Sequence, residues 1–272
     1  MASLQWHVDA GCDECVADEP LDRFQIVEAA TLVAETPPQT APTGAAAAKP
    51  AARPDISRGT KTDPAEVDSN VQIKSAMEMA AACETVDDLR GALAAFEGCA
   101  LKKTATNLVL ADGPEDASLM FVGEAPGAEE DRQGLPFVGP SGKLLNAMLQ
   151  SIGMSRGEVI ISNTVFWRPP GNRTPTAQES AVCRPFIERL IEIVSPQVLV
   201  CVGAPSAHAL LGETQGISRL RGKWFSFQTP RLSHPIDATA LFHPAYLLRT
   251  PIKKREAWND IRMISRRLKG AG

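Results

Sequence analysis

Short apolar runs alternate with longer amphipathic stretches through the last two thirds of the chain. Four runs are short and almost continuously apolar, as in strands buried on both faces: Leu119–Val122, Val159–Ser162, Val198–Gly203 and Ala238–Phe242. The stretches around them have helical spacing: Ser141–Ile152, Ala177–Ile193, Pro205–Leu211 and about Ile252–Leu268. Apolar strands separated by helices predict a three-layer α/β/α domain with a central parallel four-stranded sheet.

Two further helices are predicted ahead of the sheet. Pro64–Cys83 begins with proline at the first helical position, where its missing N–H costs nothing, and Asp63 precedes it as N-cap. The second helix runs to Phe96 and has Thr85 as its N-cap, followed by acidic residues in its first turn.

Composition changes sharply near residue 35. From 35 to 62 the chain is rich in proline, alanine and threonine and poor in large apolar residues, so we expect a disordered linker. Residues 1–34 hold enough apolar side chains for one or two short amphipathic helices, but they also carry many acidic residues. Either a partner-docking segment or a loosely attached terminus fits this pattern. The sequence thus predicts one folded domain at 63–272, with its core at about 96–268.

The charge balance limits how the protein could bind a polyanion. The net charge is −4, so nucleic-acid contacts would need a local basic patch rather than overall attraction. Candidate cations are Arg168, Arg173, Arg219, Arg221, Lys223 and Arg249, and a basic C-terminal stretch of Lys253, Lys254, Arg255, Arg262, Arg266, Arg267 and Lys269. Because the N-terminus lacks the pattern of a secretion signal and no run approaches the roughly 18 apolar residues of a membrane span, we expect a cytoplasmic protein.

Polar and aromatic side chains follow the predicted strands. Gly123–Gly127 comes after the first strand and is followed by Pro136–Gly139, Asn163 follows the second strand, and His243 follows the last. The ends of parallel strands meet in one crevice, so these residues can share a ligand despite their separation in sequence. An amide, an imidazole, an aromatic face and carboxylates suit a planar, hydrogen-bonding ring such as a nucleobase.

These motifs, taken in order, resemble those of family 4 uracil-DNA glycosylases. The matching segments are Gly123 to Asp131, Pro136 to Gly139, Asn163, Arg168 to Arg173 and His243 to Arg249. The resemblance extends from about Phe96 to about Leu268. It implies a uracil-DNA glycosylase-like fold and a monomeric enzyme of base excision repair that hydrolyses the N-glycosidic bond of deoxyuridine in DNA.

The chemistry of that reaction assigns roles within the crevice. His243 is expected to donate a hydrogen bond to uracil O2 as negative charge develops there, and Asn163 to read N3–H and O4. Phe137 is expected to stack on the base. By resemblance, Glu130 closes the pocket near C5 against thymine, and Glu124 faces the water side of the sugar. The remaining base-binding residues are Gly123 and Ala125, and Ala125 stands where family 1 enzymes carry an aspartate.

Reaching the base requires flipping it or taking it from single-stranded DNA. Tyr246, Leu247 and Leu248 are expected to form an apolar wedge that fills the vacated stack. Arg168, Arg173 and Ser206 are candidate phosphate contacts, and Arg249 belongs to the same DNA-binding group. The other histidines, His7, His208 and His234, are expected to lie outside the site.

The resemblance also implies a 4Fe-4S cluster, and here the sequence departs from the family pattern. The four ligand positions are occupied by Cys99, Lys102, Trp167 and Cys183. Neither an ammonium nor an indole readily replaces a thiolate ligand, so we predict no metal and no cluster. Cys12 and Cys15 offer a second pair of thiols, from beyond the linker.

Three alternatives stay open at this point. A covalently trapping uracil-DNA-binding relative would carry a histidine-bearing basic insertion after Arg168–Pro170, and the sequence has none there. A nucleotide-binding hydrolase or dehydrogenase would need a phosphate loop, whose spacing Gly123–Gly127 lacks. The third alternative is a non-catalytic protein-docking module on the same fold.

Overall fold

The computed structural model describes residues 64–270. The proposed N-terminal segment at 1–34, the linker at 35–62, Asp63 and the pair Cys12 and Cys15 lie outside these residues. Among residues 64–270, no helix combines the length and the apolar character that a membrane crossing requires.

The elements alternate between strand and helix, as the pattern predicted. The strands are β1 Ala111–Asp112, β2 Leu119–Gly123, β3 Ile160–Asn163, β4 Val198–Val202, β5 Trp224–Phe227 and β6 Ile236–Leu241. The helices are α1 Pro64–Ala82, α2 Val86–Ala95, α3 Ala128–Gln133, α4 Pro140–Gln150, α5 Ala177–Val194, α6 Ala204–Leu211, α7 Ile217–Leu220, α8 Pro244–Arg249 and α9 Lys254–Leu268. Short 3-10 turns lie at Ala100–Lys103, Arg156–Glu158, Pro170–Asn172 and Pro251–Lys253.

The sheet has six strands in the order β1-β3-β2-β4-β6-β5. The four inner strands are parallel, which confirms the predicted central sheet. The two edge strands, β1 and β5, run antiparallel to their neighbours and were not predicted. Since β2 lies between β3 and β4, the chain leaves β2 first toward one edge and later toward the other. That reversal of direction opens a crevice at the carboxyl ends of the strands.

Side chains of each inner strand alternate between two apolar cores. Met120 and Val122 face one core, with α1, α2 and α5, whereas Leu119 and Phe121 face the other, with α4, α8 and α9. The sheet is therefore the middle of three layers, as predicted.

Capping residues fix where two long helices begin. The Thr85 hydroxyl accepts a hydrogen bond from the Asp88 N–H, while the Asp88 carboxylate accepts from the Thr85 N–H. Thr176 and Glu179 form the same reciprocal capping box at the start of α5. Each box satisfies backbone donors that the first helical turn leaves unpaired.

Candidate active site

A cavity of about 760 Å³ opens at the carboxyl edge of the sheet. Residues at or just after the ends of all four parallel strands line it: Glu124 after β2, Asn163 at the end of β3, Gly203 after β4 and His243 after β6. Of the residues proposed from the sequence, the cavity is lined by Glu124, Ala125, Glu130, Phe137, Asn163, Arg173, His243, Tyr246 and Arg249. The strand ends therefore bring together the imidazole, the carboxamide and the phenyl ring.

His243 is held with a defined tautomer. It is the N-cap of α8, and its Nδ1 accepts a hydrogen bond of 3.1 Å from the Ala245 N–H. Nδ1 is thus the acceptor, and the proton of the neutral ring lies on Nε2. Burial lowers the pKa of His243 to about 4, with a further lowering from the Arg249 charge and an opposing effect of Glu130. The residue therefore offers a neutral N–H donor to the cavity.

The Asn163 carboxamide is buried and not fully used by the protein. Its side chain is only 2% exposed, and its Nδ2 has no hydrogen-bond partner. A Cβ on Gly123 would clash with Asn163 Oδ1 and would come within 2.7 Å of the Phe137 ring. Glycine at position 123 thus lets the amide and the ring approach the strand end together. A buried donor without a partner is costly unless a ligand satisfies it.

Phe137 lies against the same cavity in a left-handed conformation. Its φ is 50°, which is unfavourable for a bulky residue, and its ring centroid is 5.6 Å from that of His243 at an interplanar angle of 32°. Gly142, on α4, packs against the backbone of Phe137 so closely that a Cβ there would overlap the Phe137 carbonyl. The loop therefore presents an aromatic face beside the imidazole.

Glu130 joins two loops at the cavity wall. Its Oε1 accepts hydrogen bonds of 3.0 Å from the N–H groups of both Val138 and Gly139, and its Oε2 accepts one of 3.1 Å from the Gly127 N–H. The carboxylate therefore fixes the segment after Phe137 relative to the Gly123–Gly127 loop. The exclusion of thymine by Glu130 stays a prediction.

Glu124 is the second residue with an unused polar atom. Its Oε1 is buried without a partner, and burial raises the pKa of its carboxyl group. Its backbone carbonyl accepts from the Thr164 hydroxyl at 2.8 Å and from the Val165 N–H at 3.0 Å, which ties the loop after β2 to the end of β3.

Two residues of the proposed DNA-binding group are corrected by the structure. Ser206 is fully buried, and its hydroxyl donates to the Val122 carbonyl at 2.6 Å, so it cannot contact a phosphate. Leu247 is 1% exposed and packs in the core beneath α8, so it cannot act as part of a wedge. In contrast, Leu248 is 43% exposed and Tyr246 lines the cavity.

The arginines near the cavity differ in how far they are already engaged. Arg173 forms a bidentate ion pair with Glu179, at 2.7 and 2.8 Å. Arg168 lies outside the cavity and donates through Nε to the Asn172 side chain at 2.7 Å. Arg249 lines the cavity near His243. Asn172, within the Arg168–Arg173 motif, and Thr174 also line the cavity, but neither was proposed as a site residue from the sequence.

The four positions that correspond to cluster ligands are filled by packed side chains. The Lys102 ammonium donates to the Ala94 carbonyl, the Phe96 carbonyl and the Glu97 carboxylate, at 2.6, 3.0 and 2.6 Å. Trp167 is 2% exposed and meets Phe166 edge to face.

Cys99 and Cys183 are free, buried thiols. A hydrogen bond with Cys99, together with burial, raises the pKa of the Cys183 thiol. Within residues 64–270, no three His, Cys, Asp or Glu side chains cluster as metal ligands would. Two thiols, an ammonium engaged with carbonyls and an indole do not fit a 4Fe-4S cluster.

The chain is similar to proteins of one known family. Residues 110–262 match the family model described as the uracil DNA glycosylase superfamily. A type-4 uracil-DNA glycosylase of Archaeoglobus fulgidus is 40% identical over 185 residues, which cover 66% of this chain and 92% of that protein.

Similar enzymes from other organisms match the same part of the chain. A type-4 enzyme of Thermotoga maritima is 41% identical over 158 residues, covering 56% of this chain and 77% of that protein. A third type-4 enzyme, from Sulfurisphaera tokodaii, is 34% identical over 186 residues, which cover 66% of this chain and 84% of that protein. The chain therefore belongs to the uracil-DNA glycosylase superfamily and, within it, to the type-4 family.

Proposed function

We propose that this protein is a monofunctional uracil-DNA glycosylase, a hydrolase that releases uracil from DNA and leaves an abasic site for base excision repair. The observation that carries the proposal is the Asn163 carboxamide, which is buried with an unpaired Nδ2 in the cavity that also holds His243 and Phe137. The names of the type-4 relatives support the same activity.

Asn163 accounts for the choice of base. Its carbonyl accepts from uracil N3–H, and its Nδ2 donates to O4, which supplies the missing partner. Cytosine presents an acceptor at N3 and a donor at N4, so both groups of the amide would meet the wrong partner. Binding of cytosine would leave these buried groups without hydrogen bonds, so the site would disfavour cytosine strongly.

His243 stabilises the departing base. When the bond between N1 and C1′ breaks, its electron pair leaves with uracil and negative charge develops at O2. The Nε2–H of a neutral imidazole donates to that oxygen, as in an oxyanion hole. Water then adds to C1′ of the cationic sugar and loses a proton to solvent, and the released uracil anion takes up a proton from solvent. Glu124 lies on the water side, and no single general base is proposed because Ala125 stands at the aspartate position of family 1 enzymes.

DNA binding follows from the position of the cavity. The base must be flipped out of a duplex or taken from a single strand, and it would enter the cavity of about 760 Å³. Tyr246 lines the cavity with His243, and Leu248 is exposed on the same helix, α8; both are proposed to occupy the space that the base vacates. Arg168, Arg173 and Arg249 are proposed phosphate contacts, although Arg173 is already paired with Glu179.

Several properties stay predictions. We propose that the enzyme works without an iron-sulfur cluster, because the ligand positions do not fit one. Iron analysis of the purified full-length protein would settle this point, including any contribution from Cys12 and Cys15. A cytoplasmic location, a monomeric state and a docking role of residues 1–34 are likewise predictions from the sequence.

One assay separates this function from the alternatives. A labelled single-stranded oligonucleotide with one uracil is incubated with the full chain and treated with alkali, and a matched oligonucleotide with thymine serves as control. Strand cleavage at uracil alone supports the glycosylase. A denaturant-stable adduct would instead indicate a trapping relative, and neither product from folded protein would favour the docking module.

A further inference from the structure

The last helix carries an uncompensated basic surface outside the cavity. Along α9, the exposed positions with spacing of three or four residues form what we call the basic stripe: Lys254, Arg255, Trp258, Arg262, Arg266 and Lys269. Its cations have no ion-pair partner within the part of the chain that the structure describes. This is notable in a chain whose net charge is −4.

The acidic residues of the same helix do not neutralise the stripe. Asp260 is buried, and its carboxylate accepts hydrogen bonds of 2.7 Å from both Nε and a terminal nitrogen of Arg221. Glu256 pairs with Lys253 at 2.7 Å. Their charges are therefore already balanced by cations that lie outside the stripe. The exposed face of α9 is left cationic, which attracts a polyanion.

The stripe also includes an exposed aromatic ring and part of a surface depression. Trp258 is 45% exposed and lies between Arg255 and Arg262 along the face. Farther along, Arg262, Arg266 and Lys269 line a depression of about 270 Å³ together with Ser151 and Ser265. Surfaces that bind single-stranded nucleic acid typically combine a row of cations along the phosphate backbone with exposed aromatic rings on which bases stack.

The stripe starts next to the proposed active site. Arg249 lines the cavity, and α9 begins five residues later, after the turn Pro251–Lys253. Two exposed apolar residues lie at this junction: Leu248, 43% exposed, directly before Arg249, and Ile252, 82% exposed, between Arg249 and α9. A 15-residue helix is about 22 Å long, roughly the length of six stacked nucleotides.

We infer that the basic stripe binds single-stranded DNA that flanks the uracil, with Trp258 stacking on an unpaired base. The inference rests on the proposed function for the identity of the strand. It assigns to α9 a role in holding substrate, separate from the chemistry at His243.

The test uses the full chain and a uracil-free, fluorescein-labelled single-stranded 20-mer. Arg262→Glu combined with Arg266→Glu should weaken binding at least about tenfold, because two phosphate contacts are lost and two repulsions are added. The slope of log K against log salt concentration should become shallower by about 1.4, since each phosphate contact on a single strand contributes about 0.7. Trp258→Ala should weaken binding several-fold. Lys74→Glu with Lys103→Glu changes net charge equally on other exposed positions and serves as the matched control.

Uracil release separates this proposal from the proposed function. The Arg262→Glu/Arg266→Glu variant, here called the stripe variant, should release uracil from a single-stranded pentanucleotide at the wild-type rate. On a uracil-containing single-stranded 20-mer, its kcat/KM should be about tenfold lower than that of the wild type. Equal behaviour of the stripe variant and the control would overturn the proposal. An equal loss on a fully paired duplex would contradict the single-strand assignment. If wild type releases no uracil, the proposed function fails, while the binding data still decide the stripe.

A second inference rests on a different observation, the contacts of Arg156. Its Nε donates to Asp112 at 2.7 Å, and its two terminal nitrogens donate to the Pro136 and Phe137 carbonyls at 2.5 and 2.8 Å. Arg156 itself does not line the cavity. Arg156 therefore holds the carbonyls on both sides of the Phe137 Cα, while the Glu130 carboxylate accepts from the next two N–H groups.

We propose that Arg156 is a positioning residue that keeps the Phe137 ring parallel to the bound base. The unfavourable φ of 50° at Phe137 needs such support, because a bulky residue leaves the left-handed region when its neighbours allow it. Asp112 orients the guanidinium so that both carbonyls are reached at once.

A double-mutant cycle tests this role. Arg156→Gln should reduce kcat/KM about tenfold in the wild-type background but change it less than twofold in a Phe137→Ala background, because the ring through which it acts is gone. Arg156→Lys should recover part of the activity. Arg189→Gln is the matched control, since Arg189 also bonds a carbonyl, of Cys83, and a carboxylate, of Glu192, away from the cavity.

The control should lower stability and leave kcat/KM per folded molecule unchanged. Equal losses from Arg156→Gln in both backgrounds, or no loss in either, would contradict a positioning role.

Discussion

The cavity at the strand ends and the region around Trp167 differ in how completely their polar groups are satisfied. At the cavity, Asn163 Nδ2 and Glu124 Oε1 are buried without partners, and they are the two such side-chain atoms in the described part of the chain. Around Trp167, the Lys102 ammonium makes three hydrogen bonds and the indole is packed. Unused hydrogen-bonding capacity thus marks the ligand site, whereas the positions of the cluster ligands form ordinary core.

This contrast has a physical meaning. A buried polar group without a partner costs about 1–3 kcal/mol, and a folded protein retains that cost where a ligand removes it. The region around Trp167 carries no such cost. The Lys102 ammonium lies at the C-terminal end of α2, where it donates to backbone carbonyls that have no partner within the helix. Substitutions at the cavity should therefore mainly lower activity, whereas substitutions around Trp167 should mainly lower stability.

The largest effect is expected from His243→Ala and Asn163→Ala. Each should lower kcat/KM for uracil release about a hundredfold or more, because each removes a hydrogen bond that is made to the departing or selected base. Asn163→Ala should change thermal unfolding little, because the Asn163 Nδ2 has no partner to lose. His243→Ala also removes the acceptor for the Ala245 N–H at the start of α8, so it should lower the free energy of unfolding by about 0.5–2 kcal/mol. Near-wild-type rates for either folded variant would contradict its assigned role.

Gly123→Ala should give the next largest loss of activity. The added methyl group would clash with Asn163 Oδ1 and the Phe137 ring, displacing both groups that we propose contact the base. Misplacement of about 1 Å can cost roughly a hundredfold in rate. Gly91→Ala is a suitable control, because a Cβ there meets nothing within 4 Å. Wild-type kinetics in a folded Gly123→Ala variant would show that the amide and ring do not converge as described.

Trp167→Ala should affect stability rather than chemistry. Removing a buried indole costs about 3–5 kcal/mol, so the free energy of unfolding should fall by that amount. Activity per folded molecule at low temperature should remain within about twofold of wild type. A large loss of activity without loss of stability would mean that this region belongs to the functional site.

The smallest effect concerns pH. Since His243 has a pKa near 4 when folded and about 6.5 when unfolded, the unfolded state binds an extra proton between those values. This contribution to stability is fully present above about pH 6.5 and is lost as the pH falls toward 4. Across pH 5.5–8.5 the ring stays neutral, so the profile of kcat/KM should show no inflection due to His243. An NMR titration of the ring with a midpoint near 6.5 would contradict the neutral donor.

The sequence predicted the inner sheet well, because buried parallel strands are continuous apolar runs that few other elements resemble. It missed β1 and β5, since short edge strands are defined by their partners rather than by their own pattern. β1 has two residues, and β5 mixes aromatic and polar positions.

The site was predicted in part for a related reason. His243 and Asn163 lie at strand ends, which the topology requires to converge. Phe137 lies in the loop between α3 and α4 and was predicted through the Pro136–Gly139 motif. Ser206 and Leu247 were assigned wrongly because their orientation depends on the faces of α6 and α8, and α8 is too short to show a helical pattern. Arg156 was not found because its contacts with Pro136 and Phe137 depend on the path of a loop 20 residues away.

The most direct test of the account compares uracil and cytosine in the wild type and in Asn163→Asp. Oligonucleotides identical except for that base are used, and kcat/KM for base release is measured for both proteins. We predict release of uracil alone by the wild type, and measurable release of cytosine by the variant, because a carboxyl group can present the complementary donor and acceptor pattern. Unchanged selectivity in a folded, active variant would contradict the claim that Asn163 reads the base in this cavity.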